Sequence, residues 1–439
     1  MNHNIRFDNL VNHLRSAVRS LADQRTGNNT KYTMEDIGLS AFSVFFTQSP
    51  SFLAFQNSMR KLRGADNADS FFKVGKIPTD NHIRNHLDKV NPISFFPVFK
   101  TIFNALKKTE ILDSYRSFHN NLLVPLDGTW YYSSKTIHCD KCLTINHKDG
   151  STTFYHSAIT PVVVTPGNNK VISLPPEFIT PQDGHSKQDC ENAAAKRWIS
   201  QNSSEYAPLG VTILGDDLYC KHSICSLLSD KGFSFILTCK PGSHKTLYDW
   251  LNAFEPDKDI FTVIQKKWNG KSNEIYTYRY ANNLPLRDSE DTIWVNWCEL
   301  VITDEHGNII YKNSFATNFK INEKNLVKIV DDGRARFKVE NENNNVLKTK
   351  GYNLEHNFGH GKENLSMVFM TLNILAFLFH TVLEYCDDKY RLLRTKLKAR
   401  QTFFDDVRAL TRYLYFKSWD NMLDFMLAGL NKRHRLKPP

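Results

Sequence analysis

The 439-residue sequence predicts a mixed α/β fold: a sheet flanked by helices, carrying an all-β insertion and framed by a helical N-terminal domain and a helical C-terminal region. Three observations lead there. Residues 1–120 place apolar side chains at helical spacing. From Leu122, short β-rich runs give way to two helix–strand alternations. Between about 247 and 320, strand patterns follow one another without a helix. With 41% hydrophobic residues and 12% aromatics, a chain of this length has material for more than one core.

In the N-terminal part, Leu10, Val11, Leu14, Val18 and Leu21 form one stripe with Arg15 and Arg19 off it, and Thr33-x-x-Asp36 has the form of a capping box ahead of Ile37. Arg15, Arg19, Arg25, Lys31, Arg60, Lys61, Arg63, Lys73 and Lys76 punctuate these helices. They read as solvated faces or as a surface for DNA ends. At Leu122 an apolar strand begins that ends in Asp127-Gly128, and Thr152–Ser157 and Ile159–Val164 continue as short antiparallel strands between Pro and Gly turns. His185–Gln201 reads as a helix, Gly210–Gly215 as a buried strand ending in Asp216 and Asp217, His222–Ser229 as a helix and Phe233–Cys239 as a strand. Phe261–Ile264, Ile275–Tyr280, Ile293–Thr303 and Ile309–Phe315 supply the β insertion, and helical pattern resumes at Glu323. The divisions are a helical domain over 1–120, an α/β core in two parts (121–246 and 321–388), the insertion 247–320 between them, and a basic helical region over 389–439, with a last amphipathic helix around Phe403–Leu430.

The net charge of +10 and pI near 9.0 favour an acidic polymer as partner, either nucleic acid or an anionic membrane surface. The charge is concentrated: residues 389–439 hold thirteen Lys/Arg against four Asp. Within Lys389–Arg400 six basic residues occur without an acidic one, which makes Arg394, Lys396 and Lys398 candidate phosphate contacts. No charged segment followed by an apolar one opens the sequence, so a cytoplasmic protein with its eight cysteines reduced is expected. Met367–Leu383 is the one stretch resembling a membrane span. Thr371, Asn373, His380 and Thr381 inside it favour a buried core helix, and no membrane partner is expected.

Asp127 and Asp216 each close an apolar strand, and two strand-end aspartates can lie side by side at the carboxyl edge of one sheet. Arg336 and Glu340 stand at i and i+4, sharing one helix face with Asn344 a turn further on. Singly, Asp-Gly and Asp-Asp are turn residues and Arg-x3-Glu is a surface ion pair. Together, three carboxylates on one edge suit Mg²⁺, with Mn²⁺ as a substitute. Asp217 and Glu342 are rival carboxylates; Asp216 is preferred as the first residue past its strand.

The series VPLDGT, VTILGDDLY and GRARFKVENE, with a β insertion between the second and third blocks, closely resembles the cut-and-paste DDE transposases of bacterial insertion sequences, over nearly the whole chain. That resemblance implies an RNase H-like core and a third block written Y-x2-R-x3-E-x6-K. It implies Asp127, Asp216 and Glu340 as the catalytic, metal-binding triad, with Arg336 in the Arg place. Only Glu340 keeps the Arg-x3-Glu spacing. Departures are Gly333 in the Tyr place, Phe337 where members often have Trp, and Leu347 in the Lys place, with Lys348 one residue late and Lys350 just beyond. On a regular helix Lys348 would lie about 80° from the Glu340 direction, still within reach of a phosphate beside that face. The implied function is a transposase that binds the terminal inverted repeats of its element and catalyses Mg²⁺-dependent DNA strand cleavage and strand transfer. Its implied partners are double-stranded DNA (transposon ends and target) and a second copy of itself, at the bacterial nucleoid. Rival readings are a transposase-derived DNA-binding protein that does not cut, and an RNase H-like nuclease without strand transfer.

His138-Cys139-Asp140-Lys141-Cys142, with His147, His156 and Cys190 downstream, offers enough ligands for zinc. In the absence of a second C-x2-C pair, reduced thiols are expected in preference to a structural Zn²⁺. His356 and His360 read as hydrogen-bonded loop histidines. Trp294, Trp297 and Tyr311 offer either a base-stacking surface or core packing.

Overall fold

The computed structural model describes residues 5–25, 31–60, 63–181, 187–256 and 258–431, without the side chains of 187–190 and 431. Lys61, His185, the Cys190 side chain and the basic residues of 432–439 therefore lie outside the described residues.

Leu122–Pro125 (β1) is apolar and buried throughout, the pattern of a strand covered on both faces. Past Asp127 the chain enters a separate antiparallel sheet made of β2 (Gly128–Ser134), β3 (Leu143–Asn146), β4 (Thr152–Ile159) and, after a two-stranded ribbon of β5 (Val162–Val163) and β6 (Ile172–Ser173), β7 (Glu177–Ile179). β4 is its central strand, pairing with β2 on one edge and with β3 and β7 on the other. The strand expected over Ile159–Val164 is interrupted, because Pro161 has no N–H to give to a ladder.

Helix Lys187–Tyr206 leads to β8 (Val211–Gly215), and helix His222–Asp230 leads to β9 (Ser234–Thr238). β1, β8 and β9 are parallel neighbours. A short helix, Lys245–Ala253, precedes the insertion where the sequence suggested none; Leu247 and Leu251, one turn apart, bury its inner face. β10 (Phe261–Trp268), β11 (Asn273–Pro285), β12 (Trp294–Thr303) and β13 (Ile309–Thr317) then form an antiparallel meander. β13 pairs with β9, so the insertion extends the central sheet to seven strands in the order β1-β8-β9-β13-β12-β11-β10.

The N-terminal and C-terminal helices pack around one long helix, Leu365–Cys386. Its most apolar 18-residue window is wholly buried, which makes it the core helix the sequence suggested. Helix Phe7–Arg19 reaches the chain's last described helix, Trp419–Asn431, through Phe7 stacked on Trp419 with ring centroids 4.8 Å apart. The expected capping box is present: Asp36 N–H donates to Thr33 Oγ1 at 3.0 Å and Thr33 N–H to Asp36 Oδ2 at 3.1 Å, at the start of helix Met34–Phe46. The single helix expected around Phe403–Leu430 is instead two, Arg400–Tyr413 and Trp419–Asn431. The break is tertiary in origin. The fully buried Asn67 donates to the carbonyls of Thr411 and Leu414, both at 2.7 Å, and accepts from Phe416 N–H at 2.9 Å, replacing the bonds a continuing helix would make.

Helix Glu323–Arg334 lies on the central sheet and meets it closely at Gly333. A Cβ there would stand 2.9 Å from Ile236 Cγ2 and from the Phe315 ring, on β9 and β13. This contact accounts for glycine at the position. Replacing glycine by alanine in a helix gains about 1 kcal/mol, while overpacking a filled core costs about 1–3 kcal/mol. Gly333→Ala is therefore expected to lower stability by about 1 kcal/mol, read as a reduced denaturant midpoint at unchanged slope. A higher midpoint would mean that the helix can lift off the sheet at no cost.

Candidate active site

The parallel register sets the first two carboxylates. Pro125 of β1 faces Leu214 of β8, and Leu126 N–H donates to Leu214 carbonyl oxygen at 2.9 Å. Asp127 and Asp216 each follow two residues beyond that matched pair, on strands about 4.8 Å apart. They occupy the carboxyl edge of a parallel pair, where open α/β sheets gather their functional groups. Asp216 is held locally, its Oδ1 accepting from Leu218 N–H at 2.8 Å. Asp217 points elsewhere: its Oδ1 accepts from Lys240 N–H at 2.7 Å and lies 3.3 Å from His244 Nε2. Although burial opposes it, hydrogen bonds from His244, Ser243 and Lys240 pull the Asp217 carboxyl down to about 2. The structure thus separates the two adjacent aspartates by their partners.

The third carboxylate arrives on an irregular helix. After a 3₁₀ turn at Ala335–Phe337, residues Val339–Asn344 wind as a π-helix before α-helix resumes at Asn345–Thr349. Arg336 Nη1 and Glu340 Oε1 are 2.6 Å apart, so the expected i,i+4 pair forms. The regular helix assumed over this stretch is corrected, and the correction bears on Lys348. A π-turn inserts one residue relative to an α-helix, a rotation of about 100°. Lys348 therefore stands about where the residue before it would on an unbroken helix, about 20° from the Glu340 direction instead of about 80°. Leu347 takes the inward position and is fully buried. Lys348 Nζ lies 2.8 Å from Glu355 Oε1; Lys350 is exposed.

Asn344 connects the π-helix to the strand edge. It accepts from Thr160 Oγ1 at 2.7 Å and its amide nitrogen lies 3.4 Å from Asp127 Oδ2. A fourth acidic group, not anticipated from the sequence, is Glu191 on helix Lys187–Tyr206. It is 9% exposed and accepts from Tyr219 Oη at 2.8 Å. A Cβ on Gly128 would lie 2.7 Å from the Glu191 carboxyl group. Glycine after Asp127 therefore leaves room for a second carboxylate against the backbone; nothing in the pattern around Glu191 itself marks it.

Burial first, and then the charges of Glu340, Glu191 and Asp216 against that of Arg336, push the Asp127 carboxyl up to about 7. Burial is the larger cause, and the neighbouring anions add to it beyond what one guanidinium offsets. The groups whose charges bear on one another here are carboxylates, donors of the type that could hold a hard divalent ion.

Other candidates are placed less centrally. Arg394 is turned inward: its side chain is 11% exposed, its Nε is 3.5 Å from Glu384 Oε1 and its guanidinium lies over Phe403. Arg394 thus sits in an internal ion pair with Glu384, which also faces Arg400 and Lys170. Lys396 and Lys398 are exposed. In the N-terminal region Arg15 and Arg19 both pair with Glu35, Arg25 with Asp23 and the exposed Arg63 with Asp66, and Arg60 donates to the Ile77 carbonyl; Lys31, Lys73 and Lys76 are exposed. Trp297 is buried with its Nε1 3.3 Å from Tyr248 Oη, and Tyr311 lies under Arg334; Trp294 is 52% exposed. Cys139 and Cys142 are gathered with His156 and His360, while His147 bonds to Thr153 and His356 packs on Phe358. No known family model matches the chain, and no curated protein matches its sequence.

The raised Asp127 carboxyl gives a signed prediction. Its folded value lies above the unfolded one near 3.9, so in metal-free protein ionising Asp127 costs stability as pH rises through about 7. A divalent cation competes with that proton. Mg²⁺ should raise the melting temperature more at pH 8 than at pH 6, and Asp127→Asn should abolish that difference while itself stabilising the metal-free chain at pH 8 by on the order of 2 kcal/mol. Equal Mg²⁺ effects at both pH values would remove Asp127 from the ion's ligands.

Proposed function

We propose that the chain is a DDE-type transposase that binds double-stranded DNA at its element's terminal inverted repeats and performs Mg²⁺-dependent strand cleavage and strand transfer. One observation carries the reading. Two parallel neighbouring strands end in Asp127 and Asp216, and a helix arriving after the β insertion brings Glu340, on Arg-x3-Glu spacing, close enough for its charge to weigh on Asp127. Further support comes from the sheet. β1, β8 and β9 are parallel, while Val164 bridges Leu123 antiparallel on the free side of β1, consistent with an RNase H-like core. A plain RNase H-like nuclease offers no role for the four-stranded meander.

In this reading Asp127, Asp216 and Glu340 hold the Mg²⁺. When bound there, such an ion would supply Lewis acidity and help activate water at neutral pH. The chain's own groups position. Arg336 fixes Glu340, the Thr160–Asn344 pair sets the Asp127 edge, and Glu191 with Tyr219 packs behind Gly128. Lys348, turned toward the Glu340 face, is available to a phosphate by exchanging its partner Glu355, whose side chain is 56% exposed. In hydrolysis a water oxygen bonds to phosphorus as the bond to the 3′ oxygen breaks, and that oxygen leaves with a proton as a 3′-hydroxyl. In strand transfer this hydroxyl takes the water's place at a target phosphodiester.

Asp127→Ala, Asp216→Ala and Glu340→Ala should each abolish divalent-metal cleavage of DNA carrying the element's ends while changing its binding less than about threefold, since much of the affinity comes from Lys/Arg contacts. Cleavage surviving in Glu340→Ala and lost in Glu342→Ala would move the third ligand. The basic region separates by burial. Lys396→Ala with Lys398→Ala should flatten the dependence of log K on log salt by up to roughly 2 × 0.9 units. Arg394→Ala should leave that slope unchanged and lower stability by about 1 kcal/mol, because it removes one partner of Glu384 and the packing over Phe403 while Arg400 and Lys170 still face that carboxylate. A slope that responds to Arg394 and not to the lysines would reverse this assignment.

A further inference from the structure

Four metal-ligating side chains from three separate segments meet away from the carboxylate edge. Cys139 and Cys142 lie in the turn between β2 and β3, His156 on β4, and His360 in the loop before helix Leu365–Cys386. Cys142, His156 and His360 are buried. The Sγ atoms of Cys139 and Cys142 are 4.0 Å apart. His156 Nε2 lies 3.6 Å from Cys139 Sγ and 3.5 Å from Cys142 Sγ. His360 Nε2 lies 3.4 Å from Cys142 Sγ and 3.1 Å from His156 Nε2.

These separations have a simple geometric meaning. Zinc takes sulfur at about 2.3 Å and imidazole nitrogen at about 2.05 Å, so ligands at tetrahedral angles stand about 3.8 Å (S–S), 3.6 Å (S–N) and 3.3 Å (N–N) apart. Each observed distance is within about 0.3 Å of its ideal. Sulfurs 4.0 Å apart are unbonded, since a disulfide holds them near 2.05 Å.

The surrounding bonds orient the ligands toward a common centre. His360 Nδ1 is 2.8 Å from the Gly361 carbonyl oxygen, which can only accept, so Nδ1 carries the proton and a neutral His360 directs the lone pair of Nε2 inward. Cys142 N–H donates to the Cys139 carbonyl at 3.0 Å, closing the C-x2-C turn. The His360 loop is fixed from outside: Asp88 accepts from the N–H groups of Lys362, Glu363, Asn364 and Leu365 at 2.9–3.0 Å, and Lys141 Nζ donates to Asn364 at 2.6 Å. Four protein ligands with no open position describe a structural site.

We propose that Cys139, Cys142, His156 and His360 bind one structural Zn²⁺, replacing the expectation of reduced, uncoordinated thiols. The ion clamps the β2–β3 turn and β4 to the loop preceding the core helix. β2 starts beside Asp127, and the loop follows the helix bearing Glu340, so the clamp joins the two segments that carry the first and third carboxylates. His360 was hidden from the sequence because it stands more than 200 positions from the C-x2-C pair.

The test is metal analysis of the untagged full-length chain purified under reducing conditions without chelator. One zinc per chain is expected, retained in Asp127→Ala and in His147→Ala, and lost in Cys142→Ser and His360→Ala. Should those last two variants not fold, wild-type protein stripped of metal and refilled with Co²⁺ decides the point, because a tetrahedral two-sulfur, two-nitrogen site gives intense visible bands and thiolate charge transfer. Removing the metal should also lower the melting temperature. A folded, metal-free wild-type chain, a Cys139–Cys142 disulfide, or an octahedral Co²⁺ spectrum would overturn the proposal. Zinc content is read independently of cleavage, so failure here leaves the carboxylate site untouched.

Discussion

Burial of Asp127 beside other carboxylates at one sheet edge is the constraint around which this site is arranged. Asp127 is buried beside Asp216, Glu191, Glu340 and Arg336, and burial first, then the neighbouring carboxylate charges, hold its carboxyl near 7. Under the proposed function, a bound cation would offset this cost by pairing with the ionised carboxylate.

The surrounding structure holds the groups at that edge against their repulsion. The β1–β8 register fixes two aspartates through the backbone. The Glu340 helix is held down where Gly333 lets it sit against Ile236 and Phe315, and the π-segment turns its polar residues toward Asp127 through Asn344. π-Segments are rare and concentrate at functional sites, where one inserted residue re-aims the side chains beyond it. Here it re-aims Lys348.

Most of the architecture was legible because it is periodic. The buried strand beginning at Leu122, the helix–strand alternation to Thr238 and the meander after Phe261 all carry their pattern locally, and Asp127 and Asp216 could be placed because each stands just past the end of an apolar strand. What was not legible depends on partners distant in sequence. Asn67 divides the last helix from more than 340 positions away, and Glu191 and His360 join their clusters only through the fold. Arg394 looked like part of a solvated basic run because its neighbour Glu384 lies outside that run, on the core helix. The insertion looked like a separate β unit, since a sequence does not reveal that β13 will pair with β9.

The central claim is that the segments around Asp127, Asp216 and Glu340 surround one divalent-cation site. Fe²⁺ substituted for Mg²⁺, with ascorbate and peroxide, generates hydroxyl radicals that cut the backbone next to the bound ion, and mass spectrometry maps the cuts. Cleavage is expected near residues 127, 216 and 340, suppressed by excess Mg²⁺ and lost in Asp127→Asn. Cuts confined to other segments, or cuts at these three that persist in Asp127→Asn, would contradict the account.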